Sequence, residues 1–254
     1  MTKKWKVYNI DNNKVNELID NYNINELLAT ILVNRDIVDE EKLKVFLNPT
    51  RKDFHDPFLM PDMNIAVDRI IQAINKKEKV IIYGDYDADG ITSITVLKKF
   101  LEDVDLKADY YIPNRLEEGY GLNNDAIKNI SSNKYDLMIT VDCGISAVEE
   151  INYAKQLGLE TIITDHHEVG DELPQALAVV DAKRKDNKYP CRDLAGVGVV
   201  FKLIQAISIK LDLKEEAYLK YLDIVCVGTI SDIVPLVDEN RVITKLGLML
   251  VRQT

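Results

Sequence analysis

The sequence lacks any apolar run long enough to cross a lipid bilayer, since a membrane-spanning helix needs about 20 such residues. Its first residues, MTKKWKVYNIDNN, also lack the apolar segment of a secretory signal. Cysteine is scarce: Cys143, Cys191 and Cys226 are widely spaced, and no CxxC pair occurs. Such cysteines are typical of reduced thiols inside the cell. We therefore expect a cytoplasmic protein without membrane contact.

A surplus of basic residues is also missing, because 32 Lys and Arg face 42 Asp and Glu, which gives a net charge of −10. This balance argues against a surface that is basic throughout and coats nucleic acid. It still allows a local basic groove, and carboxylates clustered around a metal ion would contribute to the negative total. The remaining composition, 46% apolar and 29% charged, is ordinary for a globular protein of 254 residues.

The sequence has no P-loop and no fingerprint of the Rossmann type, so simple dinucleotide binding is disfavoured. GVG at 196–198 follows no apolar strand. The turn after the first predicted strand reads GDYDADG, and its carboxylates would repel a dinucleotide phosphate unless a metal ion lies between them.

The N-terminal part of the chain has the spacing of helices. Residues 14–47 predict two short helices, the second with Asp39 as its N-cap, and Asp62 is a candidate cap for a further helix. We expect residues 1–60 to form a helical segment packed on the core and residues 61–240 to form the main domain. Residues 241–254 would begin another helix.

From residue 79 onward, short apolar runs alternate with helical segments. Apolar strands in this arrangement predict an α/β fold, with a mostly parallel sheet of about five strands and helices on both faces. Two more helices are predicted at 195–211 and 215–230. The predicted strands are KVIIYG (79–84), ADYYIP (108–113), DLMITVD (136–142), LETIITD (159–165) and ALAVVDA (176–182).

Three of these strands end in acidic residues, in VIIYGDYDADG, MITVDCG and TIITDHHE. Ligands bind at the carboxyl ends of strands in open parallel sheets, so these polar side chains should meet at one edge. Oxygen and imidazole ligands suit Mn²⁺ or Mg²⁺, and Zn²⁺ is a further candidate. The candidate ligands are Asp85, Asp87, Asp89, Asp142, Asp165, His166 and His167.

Each of these motifs taken alone also has a purely structural interpretation. An Asp at a strand end often caps a helix, Asp89 before Gly90 suits a turn, and His166 alone could be a core histidine. However, two of the three histidines in the chain are adjacent and follow Asp165. The structural interpretation would have to hold independently at three strand ends, which favours a shared site.

DYDADG, VDCG, DHHE and GTISDIVPL occur in this order and resemble the four motifs of the DHH phosphoesterase superfamily, named for its Asp-His-His triplet. The longer stretches VIIYGDYDADGITS, YIPNRLEEGYGL, LAGVGVVFKL and VGTISDIVPL are similar to the RecJ family of single-strand-specific exonucleases, as is HDPFLMPDM near the N-terminus. The resemblance covers essentially all 254 residues. It implies a DHH domain with two divalent cations, Mn²⁺ first and Mg²⁺ second. The implied activity is 5′→3′ degradation of single-stranded DNA in repair and recombination, with a single-strand-binding protein and a helicase as candidate partners.

The resemblance also implies roles for individual residues. Asp142 lies where the family places its bridging carboxylate, and Asp85 either ligates a cation or orients the ligands. His167 would face the substrate and contact the scissile phosphate or protonate the departing 3′ oxygen. The implied metal ligands are Asp87, Asp89, Asp142, His166 and Asp232.

Other residues have two interpretations each. Arg115, in IPNR, is either a phosphate contact or a solvated arginine. Gly196 and Gly198 would let a phosphate approach a helix N-terminus or would serve close helix packing. Asp232 could simply terminate a helix. Cys143 is interpreted as structural and His55 as a loop or packing residue.

One departure from the family pattern limits the expectation. RecJ proteins continue through a connecting helix into a DHHA1 domain and usually an OB-like domain, whereas this sequence ends at Thr254. We expect both later domains to be absent from this chain. Two alternatives therefore stay open: a phosphoesterase for short oligonucleotides, cyclic dinucleotides or pyrophosphate, and an inactive structural relative, which degraded motifs would mark.

Overall fold

The computed structural model describes residues 9–116 and 118–253, and the chain divides into two compact units after Thr50. The first unit contains α1 (Asn12–Tyr22), α2 (Glu26–Asn34) and α3 (Glu40–Leu47). Each helix begins at a side-chain cap, from Asp11, Asn25 and Asp39 respectively. Their apolar faces, together with Ile37 between α2 and α3, form a small core that also contains Val15, Leu18, Ala29, Leu32 and Leu43.

Two helices were predicted over residues 14–47, but the structure has three, because α1 is a separate helix. Its sequence, NNKVNELIDNY, has few apolar residues, so its periodicity is weak. Its start depends on the Asp11 carboxylate, which accepts hydrogen bonds from the backbone N–H groups of Asn13 and Lys14. The Asp39 cap was predicted and is confirmed by the hydrogen bonds from the N–H groups of Glu41 and Lys42.

The second unit is built on a parallel sheet of five strands in the order β2-β1-β3-β4-β5. This confirms the predicted fold class. The chain crosses from β1 outward to β2 and then back past β1 to β3, so the strand order reverses between β1 and β3. The strands are β1 (Val80–Gly84), β2 (Ala108–Tyr111), β3 (Leu137–Val141), β4 (Glu160–Thr164) and β5 (Ala178–Val180).

Helices cover both faces of the sheet, as predicted. Alternate side chains of β1 show the division, because Ile82 packs in one core cluster and Ile81 and Tyr83 pack in the other. On the first face lie α4 (Met63–Lys76), α5 (Ala88–Asp103) and α8 (Gly196–Lys210); on the second lie α6 (Asn124–Ser132) and α7 (Val148–Gln156).

The C-terminal part adds α9 (Glu216–Leu219), α10 (Leu222–Ser231) and α11 (Asp238–Val251). The single helix predicted over 215–230 is therefore two helices. Before α4, short 3₁₀ turns occur at Arg51–Asp53 and Pro57–Leu59. Over the residues that the structure describes, none of the helices combines the length and the apolar character that a membrane span requires.

Asp62 occupies the N-cap position of α4, as predicted, but its side chain makes no capping hydrogen bond. Its backbone is left-handed, with φ of 56°, and its carboxylate points elsewhere. Asp62 Oδ2 accepts hydrogen bonds from the Val179 backbone N–H at 3.1 Å and from Arg184 Nη1 at 2.6 Å. A tertiary partner therefore replaces the local one.

Candidate metal centre

The first acidic stretch follows β1 and leads into α5. Asp87 caps α5 by accepting a hydrogen bond from the Gly90 N–H at 2.9 Å, and its side chain stays exposed. Asp85 is buried and accepts a hydrogen bond from the Tyr86 N–H at 2.7 Å. Burial raises the pKa of Asp85. The cap interpretation therefore holds for Asp87, while Asp89 in the first turn of α5 points into the protein.

Asp89 is held by the N-terminus of α8, more than 100 residues further along the chain. Its two carboxylate oxygens accept hydrogen bonds from the backbone N–H groups of Gly196 at 2.6 Å and Val197 at 2.8 Å. A helix N-terminus favours such a negative group. A Cβ on residue 196 would lie 2.5 Å from Asp142 Oδ1, so only glycine allows this close approach.

The other two acidic strand ends belong to β3, which is next to β1, and to β4, which is next to β3. Asp142 follows β3 with a left-handed backbone (φ of 58°), and its N–H donates to the Thr164 carbonyl at 3.0 Å. Asp165 follows β4, and its Oδ2 accepts a hydrogen bond from the Ile145 N–H at 2.8 Å. Asp165 Oδ1 accepts hydrogen bonds from the His166 N–H and from the ring of His167. The carboxylate of Asp165 therefore organises the turn that carries both histidines.

His166 is the point at which the separate motifs meet. Its Nε2 lies 3.1 Å from Asp142 Oδ1 and 3.8 Å from Asp89 Oδ2. Its Nδ1 lies 3.7 Å from Asp232 Oδ2, and Asp232 is the residue after α10. Asp142 Oδ1 and His166 Nε2 are both buried, and although they lie 3.1 Å apart, neither forms a hydrogen bond of good geometry with the other or with another described atom. Buried polar atoms without partners are costly and call for an explanation.

The negative charges in this cluster repel one another. Burial, followed by repulsion from Asp87 and Asp165, raises the pKa of Asp142 to about 9. Burial and the neighbouring Asp142 raise the pKa of Asp89 to about 7. Burial also raises the pKa of Asp232, and the charge of Asp87 adds to this increase. The cluster is therefore suited to bind a positive charge, either protons or a cation.

The donor atoms of this cluster are close enough to share a cation. One set of ligand atoms, from Asp142, His166 and His167, lies within 4.8 Å of one another, and a second set comes from Asp89, His166 and Asp232. Carboxylate oxygens together with one or two imidazole nitrogens suit Mn²⁺, and the oxygens also suit Mg²⁺. The orphaned atoms Asp142 Oδ1 and His166 Nε2 fit such an ion.

His167 differs from His166 because it is half exposed. Its Nδ1 bonds Asp165 Oδ1 at 2.7 Å, and its Nε2 lies 3.4 Å from the hydroxyl of Tyr120. The hydrogen bond with Asp165 raises the pKa of His167 to about 9. Burial raises the pKa of Asp165, but the hydrogen bond from His167 outweighs this effect and keeps that pKa below its usual value. His167 therefore favours the imidazolium form, with Nε2 turned away from Asp165.

The predicted phosphate contacts have different surroundings. Arg115 is exposed, and its guanidinium lies 5.3 Å from the centre of the Tyr86 ring, next to Asp85. The Gly196 N–H is already bonded to Asp89. A Cβ on Gly198 would lie 3.3 Å from Leu194 Cβ, which indicates close helix packing. The phosphate roles of Arg115, Gly196 and Gly198 stay predictions.

Sequence reasoning missed Asp181 and Tyr120. Asp181 follows β5 and is completely buried, with Oδ1 bonded to the Lys183 N–H at 2.6 Å and Oδ2 without a partner. Burial raises the pKa of Asp181 to about 7. The sequence did contain a signal for Asp181, because the predicted strand ALAVVDA also has an Asp near its carboxyl end. Tyr120 had no comparable signal, since only the folded loop brings it to His167.

Two other residues named from the sequence lie in different surroundings. Cys143 is buried, and burial raises the pKa of its thiol well above the usual range, which disfavours a nucleophilic role. His55 lies in another part of the unit, where its Nε2 bonds Asp238 Oδ1 at 2.8 Å.

Comparisons with known proteins agree with the resemblance. The model of the DHH family, N-terminal domain, matches residues 79–229. The single-stranded-DNA-specific exonuclease RecJ of Bacillus subtilis is 47% identical over 251 residues, which covers 99% of this chain and 31% of that protein. The corresponding Escherichia coli protein is 34% identical over 199 residues, covering 74% of this chain and 34% of its own length. The chain thus spans about a third of the length of these relatives.

A solved structure has the same fold. The structure of RecJ from Thermus thermophilus in complex with Mn²⁺ matches 96% of this chain and 34% of its own, with a TM-score of 0.77 and 27% identity. A second structure, of exonuclease RecJ bound to manganese, matches 75% of this chain and 48% of its own, with a TM-score of 0.68 and 35% identity.

Proposed function

From the premise that this chain belongs to the DHH family, we propose that it carries the catalytic centre of a metal-dependent exonuclease. This centre hydrolyses phosphodiester bonds of single-stranded DNA in the 5′→3′ direction, in repair and recombination. Both curated relatives described above are single-stranded-DNA-specific exonucleases. The observation that carries the proposal is the pair of orphaned buried atoms, Asp142 Oδ1 and His166 Nε2, at the point where the four motifs meet.

Two divalent cations belong to this proposal, Mn²⁺ by preference and Mg²⁺ as an alternative. The residues that would hold them are Asp87, Asp89, Asp142, His166 and Asp232, with Asp142 shared between the two ions. When bound, such ions polarise phosphate oxygens and lower the pKa of water. Two of the similar RecJ structures contain Mn²⁺ and a third contains Mg²⁺, which supports this choice.

The chain's own residues supply the remaining steps of the reaction. A water molecule attacks the phosphorus atom and loses a proton to a carboxylate of the centre, while the bond from phosphorus to the 3′ oxygen breaks. His167, held through Nδ1 by Asp165, donates its Nε2 proton to the departing 3′ oxygen. Asp85, buried beside the centre, keeps the turn before α5 in place through its bond with the Tyr86 N–H.

Binding of the substrate falls to groups around the centre. Arg115 is proposed to contact a phosphate of the DNA strand, because a guanidinium can donate two parallel hydrogen bonds to a phosphate. Gly196 and Gly198, in the first turn of α8, are proposed to let a phosphate approach the N-terminus of this helix. Single-stranded DNA with a 5′ end is the proposed substrate. A single-strand-binding protein and a helicase are the proposed partners, in the cytoplasm.

The test compares substrates that separate this function from its alternatives. Purified protein with Mn²⁺ is given a single-stranded 20-mer, the matching duplex, a dinucleotide, a cyclic dinucleotide and pyrophosphate. We expect nucleoside 5′-monophosphates from the single strand and far slower release from the duplex. Hydrolysis of the small substrates alone would favour the short-substrate phosphoesterase, and no hydrolysis at all would favour an inactive relative.

A further inference from the structure

A cavity of about 260 Å³ opens beside His167, at the margin of the cluster of metal-ligand candidates. Three parts of the chain form its walls: the loop after β2, the segment from the end of β3 into the first turn of α7, and the turn after β4. Tyr120 and Leu122 come from the first part, Ala147 from the second, and His167 from the third. We call this space the base cavity.

The loop that forms one wall is anchored to the sheet, so the cavity does not depend on a free loop. Tyr83, in β1, donates a hydrogen bond from its hydroxyl to the Gly121 carbonyl at 3.0 Å. Asn123 Nδ2 donates to the same hydroxyl at 3.3 Å. Glu118 also closes the loop, by accepting a hydrogen bond from the Asn114 N–H at 2.7 Å. Hydrogen bonds to Tyr83 of the buried strand β1 therefore hold this wall in place.

The chemistry of the lining argues against a phosphate inside the base cavity. Its ten lining residues include Glu150, Asp165 and His167 but no lysine or arginine, and the charge of His167 is paired with Asp165, which leaves the carboxylate of Glu150. Like charges would repel a phosphate there. Tyr120, Leu122 and Ala147 instead offer apolar surface, which suits a flat uncharged ring. The volume suits a single ring system of this kind.

The position of the base cavity relates it to the reaction. His167 lines the cavity, and its ring centre lies 4.4 Å from that of His166 in the metal centre. A nucleotide whose 3′ oxygen reaches His167 therefore has its base within reach of the cavity. We propose that the base cavity receives the nucleobase of the 5′-terminal nucleotide, the one released when its 3′ oxygen departs. This inference rests on the proposed function.

The experiment uses two single-stranded 20-mers that differ only at the 5′-terminal position, one with thymidine and one with an abasic tetrahydrofuran residue. We expect the wild-type protein with Mn²⁺ to release the thymidine nucleotide about tenfold faster, because contacts to one base contribute an effect of this size. In Ala147→Phe the added ring fills the base cavity, so the ratio of the two rates should fall towards one.

Ala176→Phe is the matched control. Ala176 is partly buried like Ala147 and lines a different cavity, of about 400 Å³, near the start of β4. This variant should keep the wild-type ratio of rates. Equal rates on the two substrates in the wild-type protein would overturn the inference and leave the proposed nuclease function standing.

A binding measurement separates failure of the inference from failure of the proposed function. If neither 20-mer is hydrolysed, the proposed function is wrong. The base cavity is then tested by calorimetry in Mn²⁺, which compares the affinity for thymidine 5′-monophosphate with that for 2-deoxyribose 5-phosphate. Tighter binding of the nucleotide by about tenfold supports the base cavity, and equal affinity overturns it. The wild-type pair decides the question even if circular dichroism shows that Ala147→Phe is unfolded.

Discussion

Two clusters of buried charged side chains lie in the same unit, and they differ in how their charges are balanced. In the first, Lys202 Nζ donates to Glu239 Oε1 at 2.8 Å and to the His55 carbonyl at 2.7 Å. Tyr189 donates its hydroxyl proton to the other oxygen of Glu239. Lys202 and Glu239 are completely buried, yet each has an opposite charge as a neighbour. We call this group the Lys202 cluster.

The candidate metal centre is balanced less completely, because its carboxylates outnumber the two histidines beside them. Asp89 and Asp142 are as deeply buried as the Lys202 cluster, but their charged neighbours include further carboxylates. A buried charge is tolerated only when it is paired or neutralised. The Lys202 cluster is therefore complete within the chain and serves stability. The metal centre is suited to a counter-charge from outside, which is what a catalytic metal site requires.

The largest expected effect comes from Asp142→Ala, which removes the proposed shared ligand. We expect Mn²⁺-dependent hydrolysis of single-stranded DNA to fall by about 10³-fold or more, since metal ions supply several kcal/mol in such reactions. The free energy of unfolding without metal should not fall, because the folded state no longer has to bury a carboxyl group whose charged form is disfavoured there. Initial rates and urea unfolding measure the two quantities. Asp171→Ala, at an exposed loop position, is the control.

Activity of Asp142→Ala at saturating Mn²⁺ close to the wild-type level would exclude the shared-ligand role. A large loss of stability without metal would show instead that Asp142 belongs to a balanced cluster like that of Lys202. Either result would remove the contrast between the two regions.

The second effect concerns the Lys202 cluster. Lys202→Met leaves Glu239 buried without its partner, so we expect the free energy of unfolding to fall by about 3–5 kcal/mol. The double variant with Glu239→Gln should recover part of this loss, because the uncompensated charge is removed. Urea unfolding of the three proteins measures the effect. If the single variant loses less than about 1 kcal/mol, the ion pair is not a stabilising feature.

The smallest effect is a dependence of stability on pH without metal. Folding raises the pKa of Asp89 from 3.8 to about 7 and that of Asp142 from 3.8 to about 9. The folded protein therefore holds these protons more tightly than the unfolded chain. Their stabilising contribution is complete below about pH 4 and is lost as the pH rises through about 7 and then about 9.

We accordingly expect the free energy of unfolding without metal to decline between pH 5 and about pH 9, as measured by urea unfolding in a chelating buffer. Saturating Mn²⁺ should flatten this decline, because the cation replaces the protons. Asp142→Asn should make it shallower even without metal. If the free energy of unfolding rises over this pH range, the pKa values of Asp89 and Asp142 are not raised in the folded protein.

Much of the fold was predictable because the signals were local. Each of the five strands is a short apolar run, and each prediction differs from the structure only at its ends. The acidic ends of β1, β3 and β4 were predicted to meet for the same reason, since parallel strands place their carboxyl ends at one edge. Where local signals were weak, as in α1 and in the break between α9 and α10, the prediction failed.

The sequence by itself determined the parallel sheet, the edge at which the acidic residues collect and membership of the DHH family, because each depends on short patterns along the chain. Only the tertiary structure decided which partners those residues have. Asp89 is held by Gly196, 107 positions away, and His55 meets Glu239, 184 positions away. The side chain of Asp62 likewise binds Arg184 rather than its own helix. Such pairings depend on how distant segments pack, and a local pattern does not contain that information.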